Sequence, residues 1–164
     1  MNFSESDIIC FERAIQLALE AEQLGNLPIG AVIALDGAII AEGKNGIWSP
    51  KLSLHRHAET EALRQVPEHL LERSREMTLY TTLEPCLMCT GAILLHRIGR
   101  VLYGSADTYG GGGTVFGHMS TYFEERLSET EWRGPAYPSV CDALFERAMA
   151  LEEQRRALEE SADP

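Results

Sequence analysis

Lysine is almost missing from this chain: among 164 residues, only Lys44 and Lys51 carry that side chain. Together 14 Lys and Arg face 25 Asp and Glu, a formal net charge of −11. Long-range steering therefore works against polyanions, and the broad basic face usual in a tight nucleic-acid binder is not expected. A small local arginine patch remains open. Long apolar runs are missing too. Stretches such as Gly30 to Leu35 and Ile93 to Leu95 are far too short to cross a bilayer. The opening MNFSESD has no basic patch followed by an apolar stretch, so no secretory signal is read there. A soluble, cytoplasmic protein is expected. Cysteine is scarce: Cys10, Cys86, Cys89 and Cys141. No internal repeat or low-complexity block is visible.

What is present suits a single domain over residues 1–164. Hydrophobic residues make up 45% of the chain, enough to build a core at this length. Ile8, Phe11, Ile15, Ala18 and Leu19 recur at helical spacing, predicting a helix from about Ser6 to Leu24 with Gly25 as its stop. Ala31 to Leu35 and Ala38 to Glu42 read as a hairpin across Asp36-Gly37, a type I′ turn sequence. Asn45 to Leu54 reads as a loop. A short helix is expected from His57 to Leu63, a strand from Met77 to Leu83, a helix starting at Pro85, and a strand from Arg100 to Tyr103. The Gly-rich run Gly110 to Gly113 follows, then a helix near Ser120 to Leu127. A last helix should begin after Ser139, with Asp142 at a capping-box-like position, and reach about Glu159. Its charged turns from Glu152 to Glu160 are expected to face solvent or a partner subunit. Strands alternating with helices predict an α/β fold of three layers, with helices covering a mixed sheet. Cys10 and Cys141, set among apolar residues, read as small buried hydrophobes.

Two clusters carry chemistry: His57-Ala58-Glu59 and Pro85-Cys86-Leu87-Met88-Cys89. Each alone is a modest signal. Together, both at predicted helix starts, they are a strong one. Helix N-termini favour thiolates, and thiolate sulfur with neutral imidazole suits zinc. His57, Cys86 and Cys89 supply three ligands to one Zn²⁺, one short of a closed tetrahedron, which is the pattern of a catalytic site that keeps a position for water. Glu59, two residues from a ligand, is the candidate carrier of protons. The competing readings are a structural zinc closed by His55, His96 or His118, acting as a non-catalytic scaffold, and a redox C-x-x-C pair. Both leave Glu59 without a role.

H-x-E paired with P-C-x-x-C is the known signature of zinc deaminases, and the chain resembles the cytidine and deoxycytidylate deaminase superfamily. The resemblance runs from about Leu17 to Asp107. It is carried by Leu27-Pro28-Ile29-Gly30-Ala31-Val32, Asn45, His57-Ala58-Glu59, the stretch from Leu79 to Ala92 (LYTTLEPCLMCTGA), Arg97-Ile98-Gly99-Arg100-Val101 and Gly104. It is similar to the branch holding tRNA adenosine, guanine and cytosine deaminases. The resemblance implies a cytidine-deaminase-like α/β/α fold on a five-stranded mixed sheet, with His57, Cys86 and Cys89 as zinc ligands and Glu59 as proton shuttle. It implies an amide contact from Asn45 to the base, and a pocket lined by the backbone N–H of Ala58 and the carbonyl region of Leu83-Glu84, with Ile29 as a further substrate contact. It also implies a homodimer. Trp48 is read either as a stacking lid over that pocket or as a loop anchor.

For the substrate, the LEPC-x-M-C-x-GA and RIGRV wording is nearest to the tRNA enzymes. Three features pull away: SPKLSLHR before the histidine lacks their Asp-Pro-Thr-Ala-His form, Gly117 to Pro138 does not continue their pattern, and the net charge is −11. A small nucleobase or nucleoside such as guanine or cytosine is therefore the expected substrate, with tRNA adenosine-34 as the alternative.

Overall fold

The computed structural model describes residues 3–162. Its first helix, α1 (Glu5–Gln23), opens on a reciprocal cap. The Ser4 hydroxyl accepts from the Asp7 N–H at 3.2 Å, and the Ser4 N–H donates to the Asp7 carboxylate at 2.9 Å. The hairpin β1 (Gly30–Leu35) and β2 (Ala38–Lys44) follows. Asp36 and Gly37 both have positive φ, 54° and 79°, as a type I′ turn requires. Then come α2 (Ala58–Leu63), a 3₁₀ stretch (Glu68–Glu76), β3 (Thr78–Leu83), α3 (Leu87–Leu95), β4 (Arg100–Ser105), a 3₁₀ turn (Gly112–Val115), α4 (Thr121–Ser128), β5 (Glu131–Arg133) and α5 (Pro138–Ala162).

The five strands form one mixed sheet in the order β2-β1-β3-β4-β5. The first strand is antiparallel to both its neighbours, while β3, β4 and β5 run parallel. Alternation along the strands sends Val32, Ala34, Tyr80 and Leu102 to one face, against Cys10, Phe11, Ala14 and Leu17 of α1. Ala31, Ile33, Leu79 and Val101 point to the other, against Ala58, Ala62 and Leu63 of α2 and Ile93 of α3. This is the expected three-layer fold. Cys10 and Cys141 are buried as expected. No helix among the described residues is long and apolar enough to cross a membrane.

The buried stripe of α1 differs from the expected one. Phe11 and Ala18 are buried, but Ile8 and Leu19 are 38% and 40% exposed, and Cys10, Ala14, Leu17 and Ala21 are buried with them. Small residues win because the helix lies directly on β1. A Cβ on Gly30 would collide with the backbone of Ala14 and Ala18. Bulk that looks ideal for a core would hold the helix off the sheet. The short strand β5 was not anticipated, since its Trp132 stands between two charged residues. Asp142 does not cap α5. Its carboxylate accepts from the Ser105 hydroxyl at 2.6 Å, fastening the helix to the end of β4.

Asp7 also accepts from the Tyr80 hydroxyl at 2.7 Å and from Arg100 at 2.8 Å, tying α1 to β3 and β4. Burial pushes this carboxyl up, but the bonds from Tyr80, Ser4 and Arg100 together outweigh it and lower the pKa to about 2. The stabilisation is therefore complete above the ordinary carboxylate pKa near 4 and is lost as pH falls toward 2. The shift corresponds to about 2 kcal/mol. The stability gap between wild type and Asp7→Asn, measured by urea unfolding, is expected to be about that size at pH 6 and to shrink below pH 4. A gap that stays constant with pH would remove this role.

Candidate active site

The two motifs meet at the ends of the strands. Cys86 caps α3 just past β3, and His57 caps α2. Pro85 was expected to start the helix but stands before the cap, so Leu87 is the first helical residue. His57 Nδ1 and Cys86 Sγ are 3.6 Å apart, and one ligand atom each from His57, Cys86 and Cys89 lie within 4.8 Å of one another. No other group of three or more potential ligands forms among the described residues, and His55, His96 and His118 stand outside this one. Two sulfurs and one imidazole, gathered at two helix starts with no fourth protein ligand, fit zinc with one position left over.

Glu59, in the first turn of α2, is 3% exposed. The Thr81 hydroxyl donates to its Oε1 at 2.9 Å, and the Cys89 thiol donates to its Oε2 at 3.4 Å. Burial raises its pKa against the opposing pull of His57. Without metal, the cysteines share a proton unequally. The hydrogen bond from Cys89, joined by His57, brings Cys86 down to about 4, while the Cys86 thiolate and burial drive Cys89 strongly up. The thiolate of Cys86 in turn raises His57. The pair titrates as a unit, with Cys86 as the thiolate.

Beside these groups lies a cavity of about 170 Å³. That is below the size of a drug-sized cleft and suits a single ring system. Asn45, Ile29, Leu83 and Glu84 are among the residues that line it. Asn45 is held by donating its backbone N–H to the Ile29 carbonyl at 2.9 Å, and its Oδ1 accepts from Ile47 at 3.3 Å. Its Nδ2 is buried without a partner, a costly state that a ligand acceptor would relieve. Glu84 lines the cavity, but its carboxylate is occupied: it accepts from the N–H groups of Asp107 at 3.0 Å and Gly113 at 3.1 Å. The Gly-rich run is thus a brace and not a loose connector. Gly112 also donates to the Pro85 carbonyl at 2.7 Å, locking the turn that presents Cys86.

Two residues named from the sequence stand apart from these. The side chain of Ala58 is buried against the sheet, outside the cavity lining, so only its backbone N–H is left as the expected pocket contact. Trp48 is also outside it, because its loop turns the ring toward Leu27, Ile47, Ala148 and Leu151. The wall opposite Asn45 comes instead from α5, through Phe145, Ala148, Met149 and Glu152. Glu152 therefore faces the site and not open solvent. The amphipathic stripe of α5 was visible in the sequence, but nothing local says which surface it covers. Asp107 was also missed. Its position just past β4, beside the carboxyl end of β3, was the available signal, since parallel strands open their crevice at that end.

Residues 4–105 match the family described as the cytidine and deoxycytidylate deaminase zinc-binding region. The chain belongs to the cytidine and deoxycytidylate deaminase family. Like other members, it is a zinc-dependent hydrolytic deaminase. It is 39% identical to a tRNA-specific adenosine deaminase of Bacillus subtilis over 74% of each chain. It is 43% identical to one of Haemophilus influenzae, over 63% of this chain and 61% of that one. A structure from a study of A-to-I editing by tRNA:A34 deaminases at the wobble position is 38% identical, with a TM-score of 0.63, covering 70% of this chain and 91% of the other. The Bacillus subtilis guanine deaminase structure is 33% identical, with a TM-score of 0.55, covering 74% and 78%.

These relatives overturn the expected guanine- or cytosine-type substrate in favour of the tRNA alternative. The expectation leaned on the SPKLSLHR wording, on the departure of Gly117 to Pro138 from the tRNA enzymes' pattern, and on net charge, a global quantity that says little about a local contact surface. The motif wording around Cys86 and Arg97 was the better guide.

Proposed function

We propose that this deaminase converts adenosine at the wobble position of a tRNA anticodon to inosine, releasing ammonia. Similarity to the tRNA-specific adenosine deaminase of Bacillus subtilis, over 74% of each chain, carries the reading. A cavity sized for one base, with an unpartnered amide beside a buried carboxylate, supports it.

In this reading His57, Cys86 and Cys89 hold the zinc, which when bound supplies Lewis-acid activation of water near neutral pH. Asn45 Nδ2 donates to an acceptor on the base and orients it. Glu59 accepts a proton from the attacking water, passes it to the ring nitrogen beside the amino-bearing carbon, and supplies a proton to the departing ammonia. The net change is adenosine plus water to inosine plus ammonia. Thr81 keeps the carboxylate aimed by donating to Oε1, and Oε2, which accepts from the Cys89 thiol in the metal-free site, would be released for transfer once Cys89 ligates as a thiolate. The unit is read as one domain over residues 1–164, acting in the cytoplasm.

The deciding experiment measures ammonia release from an anticodon stem-loop with adenosine at the wobble position, alongside free bases and nucleosides. Only the stem-loop is expected to turn over, with an apparent affinity that falls as salt rises. Turnover of guanine or cytosine with the stem-loop untouched would defeat the proposal.

We also propose a homodimer. Leu87, Met88 and Leu95 of α3 are 57%, 41% and 55% exposed, and they edge an apolar cleft with Met119 and Phe123. Light scattering is expected to return twice the mass of one chain, and Leu95→Glu to return half of that. A wild-type value equal to one chain would exclude it.

A further inference from the structure

Glu84 is a buried carboxylate to which the proposed reaction gives no part. Its backbone N–H donates to the Ser105 carbonyl at 2.8 Å, just past the last paired residues of β3 and β4. The residue is therefore fixed to the rigid end of the sheet, and its side chain reaches forward from there. A buried carboxylate is costly unless hydrogen bonds replace its water. Here both donors are backbone N–H groups of one loop, Asp107 to one oxygen and Gly113 to the other. We propose that Glu84 is a positioning residue for the metal site. It holds the loop from Asp107 to Gly113 against the back of the Cys86 turn, and so sets the place of a zinc ligand together with one wall of the cavity. The inference rests on the zinc-deaminase chemistry and not on which base is deaminated.

The position passes from loop to ligand by short steps. Pro85 has no N–H, so the turn before Cys86 cannot be held by a donor at that residue. Its carbonyl takes the load instead, accepting from the Gly112 N–H at 2.7 Å and from the Thr90 hydroxyl at 3.2 Å. Gly111 forms an antiparallel bridge with Cys86 itself. The run of glycines permits this close approach. A Cβ on Gly111 would stand 2.7 Å from the Glu84 carboxyl, and one on Gly113 would stand 2.5 Å from Oε1. Side chains there would push the loop off the carboxylate. The glycines thus let backbone N–H groups wrap a fixed anion, as in other concave anion-binding loops.

The same joint reaches the cavity walls. Asp107 lines the cavity, and its carboxylate accepts from the N–H groups of Tyr109 at 3.0 Å and Gly110 at 2.8 Å, so that side chain is locked into the loop. Ser105, which receives the Glu84 N–H, also bonds Asp142 and fastens α5, the wall facing Asn45. Metal–ligand distances hold to within about 0.2 Å. A loop freed from one of its two anchors drifts further than that while the sheet behind it stays in place.

The test compares wild type with Glu84→Gln, Gly113→Ala and the double variant. Glutamine offers one acceptor oxygen to two N–H groups, so one bond is lost. Gly113→Ala displaces the loop and leaves the carboxylate intact. Groups that orient a metal ligand from behind are typically worth 10- to 100-fold in metal affinity. Zinc affinity, read by chelator competition, is expected to fall by a factor in that range in each single variant. Both act on one contact, so the double variant should fall little further. With cobalt in place of zinc, the thiolate-to-metal absorption band should shift or weaken in both variants, reporting a displaced Cys86 sulfur. Melting temperatures of the metal-free proteins are measured alongside. Folded variants with lowered melting temperature but wild-type zinc affinity and cobalt spectrum overturn the proposal, and Glu84 is then a fold contact only. Losses that simply add in the double variant overturn it too. If Glu84→Gln does not fold, Gly113→Ala decides alone by the same two readouts. Ammonia release by wild type is a separate measurement, so failure here leaves the proposed reaction standing.

Discussion

Glu59→Gln is expected to lower kcat by about 10³-fold or more while leaving one zinc per chain, since general acid–base groups contribute about 10²–10⁴. The loss corresponds to about 4 kcal/mol of transition-state stabilisation. The substitution isolates proton transfer because it keeps the shape of the side chain and an oxygen to accept from Thr81. It also removes a buried acid, so the fold is expected to be no less stable. An amide can orient a water but cannot carry its proton to a ring nitrogen or to departing ammonia. The readouts are ammonia release on the stem-loop, metal content and melting temperature, all on one preparation. A variant that keeps a tenth of the wild-type rate would show that the protons travel by another route. Loss of zinc together with activity would mean that Glu59 is a structural partner of the metal group, through its contact with Cys89.

Cys89→Ser is expected to have the second large effect, a fall in zinc affinity of at least about 10²-fold, because a hydroxyl does not ionise as a thiol does and is a harder ligand. The same chemistry makes zinc loading depend on pH. In the metal-free site Cys89 and His57 are both raised and hold their protons to higher pH than usual, whereas Cys86 titrates at about 4. Metal must displace the protons on Cys89 and His57, so apparent zinc affinity should climb as pH rises through neutrality, with protons released on binding. A chelator-competition titration with a pH-indicator dye measures both quantities. Affinity that is flat from about pH 6 to 9, with no proton release, would contradict the assignment of these ligands. Exhaustive chelation should abolish ammonia release, and readdition of zinc should restore it.

The contrast between these two substitutions is informative about how the site was readable. His57, Glu59, Cys86 and Cys89 fall in two short motifs, and each motif does its work within one turn of helix. Spacing alone therefore brings Glu59 near His57 and Cys89 near Cys86. The cap positions of both helices follow from the same local rules, to within one or two residues at Pro85. Asn45 is a different case. It was named through resemblance, and the structure adds the physical reason: its Nδ2 is buried and unpartnered at the cavity wall. Trp48 lies only three residues further on, yet its ring leaves the cavity because Asn26, more than twenty residues upstream, captures the backbone of that turn.

Local pattern was least informative where packing partners are remote. On α1, hydrophobic strength favours Ile8 and Leu19, while the sheet selects Ala14 and Ala18 for closeness. On α5, the charged turns looked solvent-facing, yet the helix crosses the mouth of the site, where Glu152 joins the wall and Arg155 lies over Trp48. The substrate was misjudged for a related reason. Net charge sums over the whole surface, whereas recognition depends on a few side chains at one opening.

By itself, the sequence determined the His57, Cys86 and Cys89 group that could hold a metal, the carboxylate beside it, the hairpin turn and the alternation that builds a layered sheet, because each depends on residues a few positions apart and on the fixed periods of helix and strand. Tertiary structure alone decided which face of α1 is buried, where Trp48 points, and which helix closes the catalytic cavity. Those outcomes are set by competition among distant surfaces for the same space, and no local period encodes the winner.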